Sequence, residues 1–173
     1  MDGNKQSLGT RVLVVGPSAA GKTRFAKLLG QVLPVPLIHM DSIMWRPGWQ
    51  YVGDQETCRR LLAEAVKEAW IIEGYTPKCT PELMKHATSV IFLEYPKWLV
   101  VSRHLQRWLK HRVTPRPEIP GCPERFNKNL LAAYDGEVEL IHKYLADAHP
   151  DLFIVRLLYP GIATKFILQL AKE

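Results

Sequence analysis

The chain has 173 residues, 47% of them hydrophobic and 23% charged, and a formal net charge of +6. This is the composition of a globule long enough for one sizeable core, which excludes disordered and fibrous polymers. No apolar run approaches the ~18 residues of a membrane span, and Met1 to Gly9 lacks the apolar core of a signal peptide, so a single cytoplasmic domain behind a loose tail, with no membrane partner, is expected.

Arg11-Val12-Leu13-Val14-Val15 is an apolar, β-branched run, the pattern of a strand buried on both faces. It leads into Gly16-Pro17-Ser18-Ala19-Ala20-Gly21-Lys22-Thr23, a full match to the P-loop spacing G-x-x-x-x-G-K-[ST]. Glycines let the backbone wind so that successive N–H groups face phosphate oxygens, and the following helix adds its positive N-terminal end. The loop from Gly16 through Ser18, Ala19, Ala20 and Gly21 is therefore the expected nucleotide cradle. Lys22 is placed to reach the β- and γ-phosphates, and Thr23 to offer its hydroxyl to Mg²⁺. Phe25, Leu28, Leu29 and Val32 then recur at helical spacing, which predicts a helix from about Lys22 to Leu33.

Pro34-Val35-Pro36 ends that pattern, and Leu37 to Met40 reads as a second strand ending at Asp41. Trp45-Arg46-Pro47-Gly48-Trp49-Gln50-Tyr51 follows as an aromatic loop. It is suited to stack on a flat substrate or hold an anion through Arg46, or to cover the edge of the core, and the residues alone leave these readings open. Asp54 is a candidate cap for a helix through Ala69. Trp70-Ile71-Ile72 is the third predicted strand and delivers Glu73-Gly74. Thr76 to Ala87 reads as a loop and a short helix opened by Pro81, and Ser89 to Leu93 as a fourth strand ending at Glu94.

Lys97 to Arg112 predicts a helix that buries Trp98, Val101, Leu105 and Trp108 and carries Arg103, Arg107 and Lys110 on another face. Val113 to Pro123 holds four prolines and a glycine and reads as irregular. Glu124 to His149 is expected to be mostly helical, with Asp135-Gly136 as the place for a break. Leu152 to Leu157 is the fifth strand and Ile162 to Lys172 the last helix. Cys58, Cys79 and Cys122 are odd in number and widely spaced, which favours reduced thiols over a disulfide framework, and no zinc-ligand spacing occurs.

The charge is unevenly placed. Lys97 to Lys128 contains eight Lys or Arg and two Glu, which accounts for the whole net charge, the remainder being balanced. A solvated or nucleic-acid-binding face is one reading of that segment. The other is a lid, roughly residues 103–125, whose Arg103, Arg107, Arg112 and Arg116 close on a nucleotide and exclude water.

Strands alternating with helices predict a three-layer α/β fold of the P-loop NTPase kind. Its five-stranded parallel sheet would carry helices on both faces and a small basic lid. Ligands in such sheets lie beyond the carboxyl ends of the strands, which gathers the P-loop, Asp41, Glu73 and Glu94. Phosphoryl transfer needs positioning, a metal and positive charge rather than covalent help. Lys22, Arg103 and Arg107 are the catalytic cations in this reading. Asp41 is the base or acceptor ligand, Thr23 and Glu73 are the metal-side oxygens, and Trp45, Arg46, Asp41 and Glu73 contact the acceptor.

The P-loop, His39-Met40-Asp41, Trp45-Arg46-Pro47-Gly48-Trp49, Trp70-Ile71-Ile72-Glu73-Gly74, Val90-Ile91-Phe92-Leu93-Glu94 and Gly121-Cys122-Pro123-Glu124-Arg125 together resemble the DNA topology modulation (FlaR-type) family. That family is similar to the adenylate-kinase-like P-loop kinases. The resemblance implies a five-stranded kinase fold with a small lid and with ATP and Mg²⁺ as ligands, and leaves the acceptor open; the kinase reading of the residues takes a nucleotide or small hydroxylated molecule there, and the family's name makes DNA the alternative partner. Glu73-Gly74-Tyr75-Thr76-Pro77-Lys78 departs from the Asp-Gly-x-Pro-Arg signature of adenylate kinases, which argues against AMP as acceptor. Asn127-Lys128-Asn129-Leu130 lacks the Asp of a guanine-reading motif, and Glu94-Tyr95 lacks the acidic pair of motor ATPases.

Overall fold

The computed structural model describes residues 8–127 and 129–172. The sheet contains β1 (Arg11–Val15), β2 (Leu37–His39), β5 (Trp70–Glu73), β6 (Ser89–Leu93) and β7 (Phe153–Leu157), all parallel, in the order β2-β5-β1-β6-β7. Successive residues of β1 serve opposite faces. Val12 and Val14 join a core with Phe25, Leu29, Ile91, Phe166 and Leu170, whereas Leu13 and Val15 join another with Trp70, Ile72, Phe92, Leu61 and Ile141. Both faces are dry, so the strands read as continuous apolar runs rather than alternating ones.

The first face is covered by α1 (Lys22–Val32) and α7 (Pro160–Leu170), the second by α3 (Asp54–Ala65), α4 (Thr80–His86) and α6 (Leu130–Ala146). α5 (Lys97–His111) runs out from the end of β6 toward the P-loop. A short helix α2 (Met40–Met44) and a small antiparallel hairpin, β3 (Trp45–Arg46) and β4 (Gln50–Tyr51), stand after β2. No helix among the described residues is long and apolar enough to cross a membrane.

Several sequence expectations change here. Residues 1–7 of the expected tail lie outside the described residues, but Leu8 is buried and its carbonyl accepts the Thr88 hydroxyl at 2.7 Å. Asp41 lies in the first turn of α2 rather than at the end of a strand. The aromatic segment is a hairpin rather than a loop, closed by Gly48 at φ 80° and Trp49 at φ 61°. Asp54 is the first helical residue and accepts the Tyr51 hydroxyl at 2.5 Å, the cap position being Gly53. α3 stops at Ala65, whose carbonyl takes the buried Trp70 indole N–H at 3.0 Å. Residues 124–127 are not helical, because the Asn127 amide is drawn to His104 and the Asn127 side chain takes the Asn129 N–H at 2.9 Å. α6 passes through Asp135-Gly136 without a break, since nothing lies within 4 Å of a side chain at Gly136 and Asp135 pairs with Lys97 across the surface.

The largest reversal concerns α5. Trp98 is 68% and Leu105 45% exposed, while Val100 and His104 are buried. The helix is turned by its polar tethers: Arg103 and Arg107 reach inward to the P-loop and lid, which leaves the apolar stripe outward.

The expectation of reduced thiols is likewise corrected. Cys58 on α3 and Cys79 before α4 form a disulfide, and buried Cys122 alone is free. Two helices packed on the same face bring distant cysteines together, which spacing along the chain does not reveal. The bridge encloses β5, with 21 residues of sequence separation. In the chain-entropy picture, closing a loop of that order restricts the unfolded chain by about 3 kcal/mol. The double substitution Cys58→Ala/Cys79→Ala is expected to lower stability by about that amount. A urea titration checks this, and an unmoved midpoint would reject it.

Candidate active site

The P-loop leaves β1 at Gly16 and is wound by Ala19 at φ 66° and Gly21 at φ 97°. A left-handed alanine is uncommon and is found where a turn is over-determined by its surroundings, as at ligand clamps. Lys22 folds back across the loop, its ammonium donating to the Gly16 carbonyl at 2.8 Å and to Pro17 at 3.0 Å. Burial pushes the Lys22 pKa down, while Glu73, Glu137 and Asp41 oppose that shift. A desolvated ammonium beside a ring of backbone donors is a strong attractor for a polyanion.

Glu73, at the end of β5, is 5% exposed. It accepts the Thr23 hydroxyl at 3.0 Å, and His39 Nδ1 lies 2.8 Å from the same oxygen. A hydroxyl and a carboxylate are hard oxygen donors and fit Mg²⁺, which takes one or two protein oxygens and fills its octahedron with water and phosphate. Among the described residues no group of three or more His, Cys, Asp or Glu forms a metal cage.

Gly74 follows with φ 141°, and a Cβ there would meet Met40 Cβ at 2.4 Å. This close approach packs the start of α2 against the end of β5, and Asp41 and Glu73 line the same cleft. The Asp41 carboxylate is 43% exposed and accepts from Arg116 at 3.2 Å.

The cleft above the P-loop has a volume of about 960 Å³. Tyr95, Pro160, Ala163 and Ile167 line it on the β6–β7 side, and Asp41, Glu73 and Tyr75 on the β2–β5 side. Arg103 donates to the Ala20 carbonyl at 2.5 Å and sits 5.0 Å from the centre of the Tyr95 ring. Arg107 lies 3.5 Å from the Ser18 hydroxyl and pairs with Glu124 at 2.7 Å.

The proline-rich segment after α5 borders this cleft through Arg116, Pro117 and Glu118. Glu118 pairs with Lys27 of α1, and the other end latches to the hairpin. There the Gly48 amide donates to Gly121 at 2.9 Å, the Trp49 indole N–H to Pro123 at 2.7 Å, and the Cys122 thiol to Arg46 at 3.2 Å.

His104, at 2% exposure, ties α5 to the segment that follows it by accepting the Asn127 N–H at Nε2 at 3.0 Å. Burial pushes its pKa down, and Arg107 acts in the same sense against Glu124. The unfolded imidazole, with pKa about 6.5, therefore takes up a proton more readily than the folded one. The resulting stability is fully present above that value and is lost as pH falls toward the depressed folded value. Melting midpoints should drop more steeply between about pH 7 and 5 in wild type than in His104→Gln, whose amide oxygen can still accept. Parallel curves would reject this.

Of the residues expected from sequence, the P-loop, Lys22, Thr23, Asp41, Glu73, Arg103 and Arg107 come together around the cleft. Trp45 packs on Trp49 and Tyr51 and, like the exposed Arg46, stands outside the main cleft. Arg112 stacks on Trp108, 5.5 Å from the ring centre, and does not line the cleft. Glu94 is held by Arg156 and His142, a structural ion-pair cluster at the strand end. Sequence reasoning missed Glu137, whose carboxylate accepts the Ser18 amide at 2.9 Å, and Glu124. Glu124 lies in the distinctive Gly-Cys-Pro-Glu-Arg segment, which was a usable signal; nothing local marked Glu137.

No protein-family model matches the chain. Among solved structures, shikimate kinase from Acinetobacter baumannii in complex with shikimate superposes with a TM-score of 0.66 at 13% identity, covering 96% of this chain and 93% of that one. This chain has the fold of the P-loop kinases. Shikimate kinase from Bacteroides thetaiotaomicron gives a TM-score of 0.61 at 18% identity, with 94% and 97% coverage. A gluconokinase from Sinorhizobium meliloti gives 0.54 at 16%, with 96% and 95% coverage. At these identities the likenesses speak for architecture alone.

Proposed function

We propose that the protein is a kinase that transfers the γ-phosphoryl group of Mg-ATP to a small hydroxylated acceptor seated between Asp41 and the lid. The observation that carries this reading is one geometry. The Lys22–Thr23–Glu73 group stands at the P-loop, and the Asp41–Arg116 pair faces it beneath a lid fastened on both sides.

Lys22 and the loop amides hold the donor phosphates, and Arg103 and Arg107 bring positive charge to the migrating group. Thr23 and Glu73 would hold Mg²⁺, which would supply positive charge to offset the charge that develops on the phosphates. Asp41 orients the acceptor hydroxyl and takes its proton. The apolar β6–β7 side suits the nucleoside, and the lid excludes water that would otherwise compete as acceptor. The likenesses to shikimate kinase and gluconokinase support a small hydroxylated acceptor. Arginines of the basic segment that turn inward to Ala20, Ser18 and Asp41 support transfer over DNA contact, the alternative carried by the resemblance to the DNA topology modulation family.

The test is a panel of nucleoside monophosphates, sugars, sugar acids and other hydroxylated metabolites with ATP and Mg²⁺, following ADP release. Acceptor-dependent ADP with at least one class is expected. ATP binding without acceptor-dependent ADP, together with salt-sensitive duplex binding, would overturn the proposal.

A further inference from the structure

One continuous line of charge crosses the cleft. Arg107 lies 3.5 Å from the Ser18 hydroxyl on the P-loop and 2.7 Å from one Glu124 oxygen. The other Glu124 oxygen lies 3.3 Å from Arg116 Nε, and Arg116 reaches Asp41 at 3.2 Å. Glu124 is thus the sole carboxylate, among the described residues, that pairs with both an arginine at the donor loop and an arginine at the acceptor carboxylate.

Its position is fixed from both sides. Its own amide donates to the His111 carbonyl at 2.9 Å, and the preceding Pro123 carbonyl accepts Trp49 from the hairpin. Glu124 is 7% exposed, so the pairing is desolvated and its electrostatic hold is strong. The pairing is not fully saturated: Arg116 Nε and Glu124 Oε2 form their ion pair at 3.3 Å without hydrogen-bond geometry, and Arg107 Nε is buried without a hydrogen-bond partner. A guanidinium has five N–H donors in a rigid fork, so both arginines can stay anchored to Glu124 while they turn other donors toward a phosphoryl oxygen.

We propose that Glu124 is a positioning residue that sets Arg107 at the donor phosphate and Arg116 at the acceptor as one unit. This rests on the kinase reading above. Holding both guanidinium groups before the phosphoryl group moves removes the need to order two long side chains during transfer. It also couples the two halves of the cleft, because displacing one arginine from Glu124 changes the field at the other.

The experiment compares wild type, Glu124→Gln and Glu124→Asp in steady-state transfer to the best acceptor of the panel, together with melting midpoints. Gln keeps the size and removes the charge. The expected result is a kcat about 10²-fold lower in Glu124→Gln with KM for ATP within about threefold, alongside a lowered midpoint because Arg107 and Arg116 lose their shared partner. Glu124→Asp should recover part of the turnover, since it restores the charge on a shorter arm. Wild-type turnover in Glu124→Gln would overturn the proposal, as would a parallel loss of kcat, ATP affinity and melting midpoint, which marks a purely structural role.

A second readout needs no acceptor. Modification of Arg107 and Arg116 by phenylglyoxal, followed by mass spectrometry, should accelerate at both sites in Glu124→Gln. If wild type releases no ADP with any acceptor, the kinase reading falls, and unchanged modification rates would independently overturn the pairing role.

Discussion

Lys22→Ala is expected to lower acceptor-dependent ADP formation by about 10²–10³-fold, the loss seen when a preorganised charge donor to a transition state is removed. The reason lies in where the ammonium sits. It bonds to two carbonyls of its own loop, Gly16 and Pro17, so it is held over the phosphate path before any ligand arrives. Its removal deletes a buried cation that Glu73, Glu137 and Asp41 all surround, leaving three carboxylates facing an incoming polyanion. ATP affinity should therefore fall as well. Stability should change little, because Lys22 belongs to neither apolar core on the faces of the sheet. Isothermal titration with a non-hydrolysable ATP analogue, run beside the ADP assay, separates the two effects. Normal turnover in this variant would exclude phosphoryl transfer at the P-loop.

Arg107→Ala should be nearly as damaging, with kcat reduced by about 10²–10³-fold. Unlike Lys22, Arg107 also neutralises a buried partner. Removing it leaves Glu124 paired with Arg116 alone, and a buried charge stripped of a partner costs roughly 3–5 kcal/mol when nothing replaces it. The remaining pair reduces that figure, so a loss of about 2 kcal/mol is the expected outcome in a urea titration. Arg107→Lys distinguishes the two contributions: it keeps the charge, and hence most of the stability, but loses the planar fork and should stay slow. Turnover within about threefold of wild type in Arg107→Ala would reject the assignment of Arg107 to the transferring phosphate.

What the sequence made legible was local. A P-loop is eight contiguous residues whose backbone geometry is written in its glycines, and β1 and α1 follow from the periodicity on either side. Asp41 and Glu73 were reachable by one further rule, that chemistry gathers at the carboxyl ends of parallel strands. Glu137 and the partners of Glu124 and Arg116 were not, because each depends on a segment arriving from far along the chain. Ser18 and Glu137 are 119 positions apart. The exposed stripe of α5 shows the limit of amphipathic reasoning. That rule assumes apolar residues decide which face turns inward, whereas here Arg103 and Arg107 decide it through hydrogen bonds and ion pairs. The Cys58–Cys79 pair failed for the same reason as the distant glutamates: adjacency in space between α3 and α4 leaves no trace in spacing.

Gly74 bears on how such a protein can change its substrate. The separation of Asp41 from Glu73 is inherited from a methyl group that is not there, since any side chain at 74 would have to occupy the place of Met40 Cβ. Positions such as Tyr75 on the cleft wall or Arg46 on the hairpin can be exchanged without disturbing that separation. Selection for a new acceptor can thus rewrite the walls of the cleft freely, but it inherits a fixed gauge between its two carboxylates.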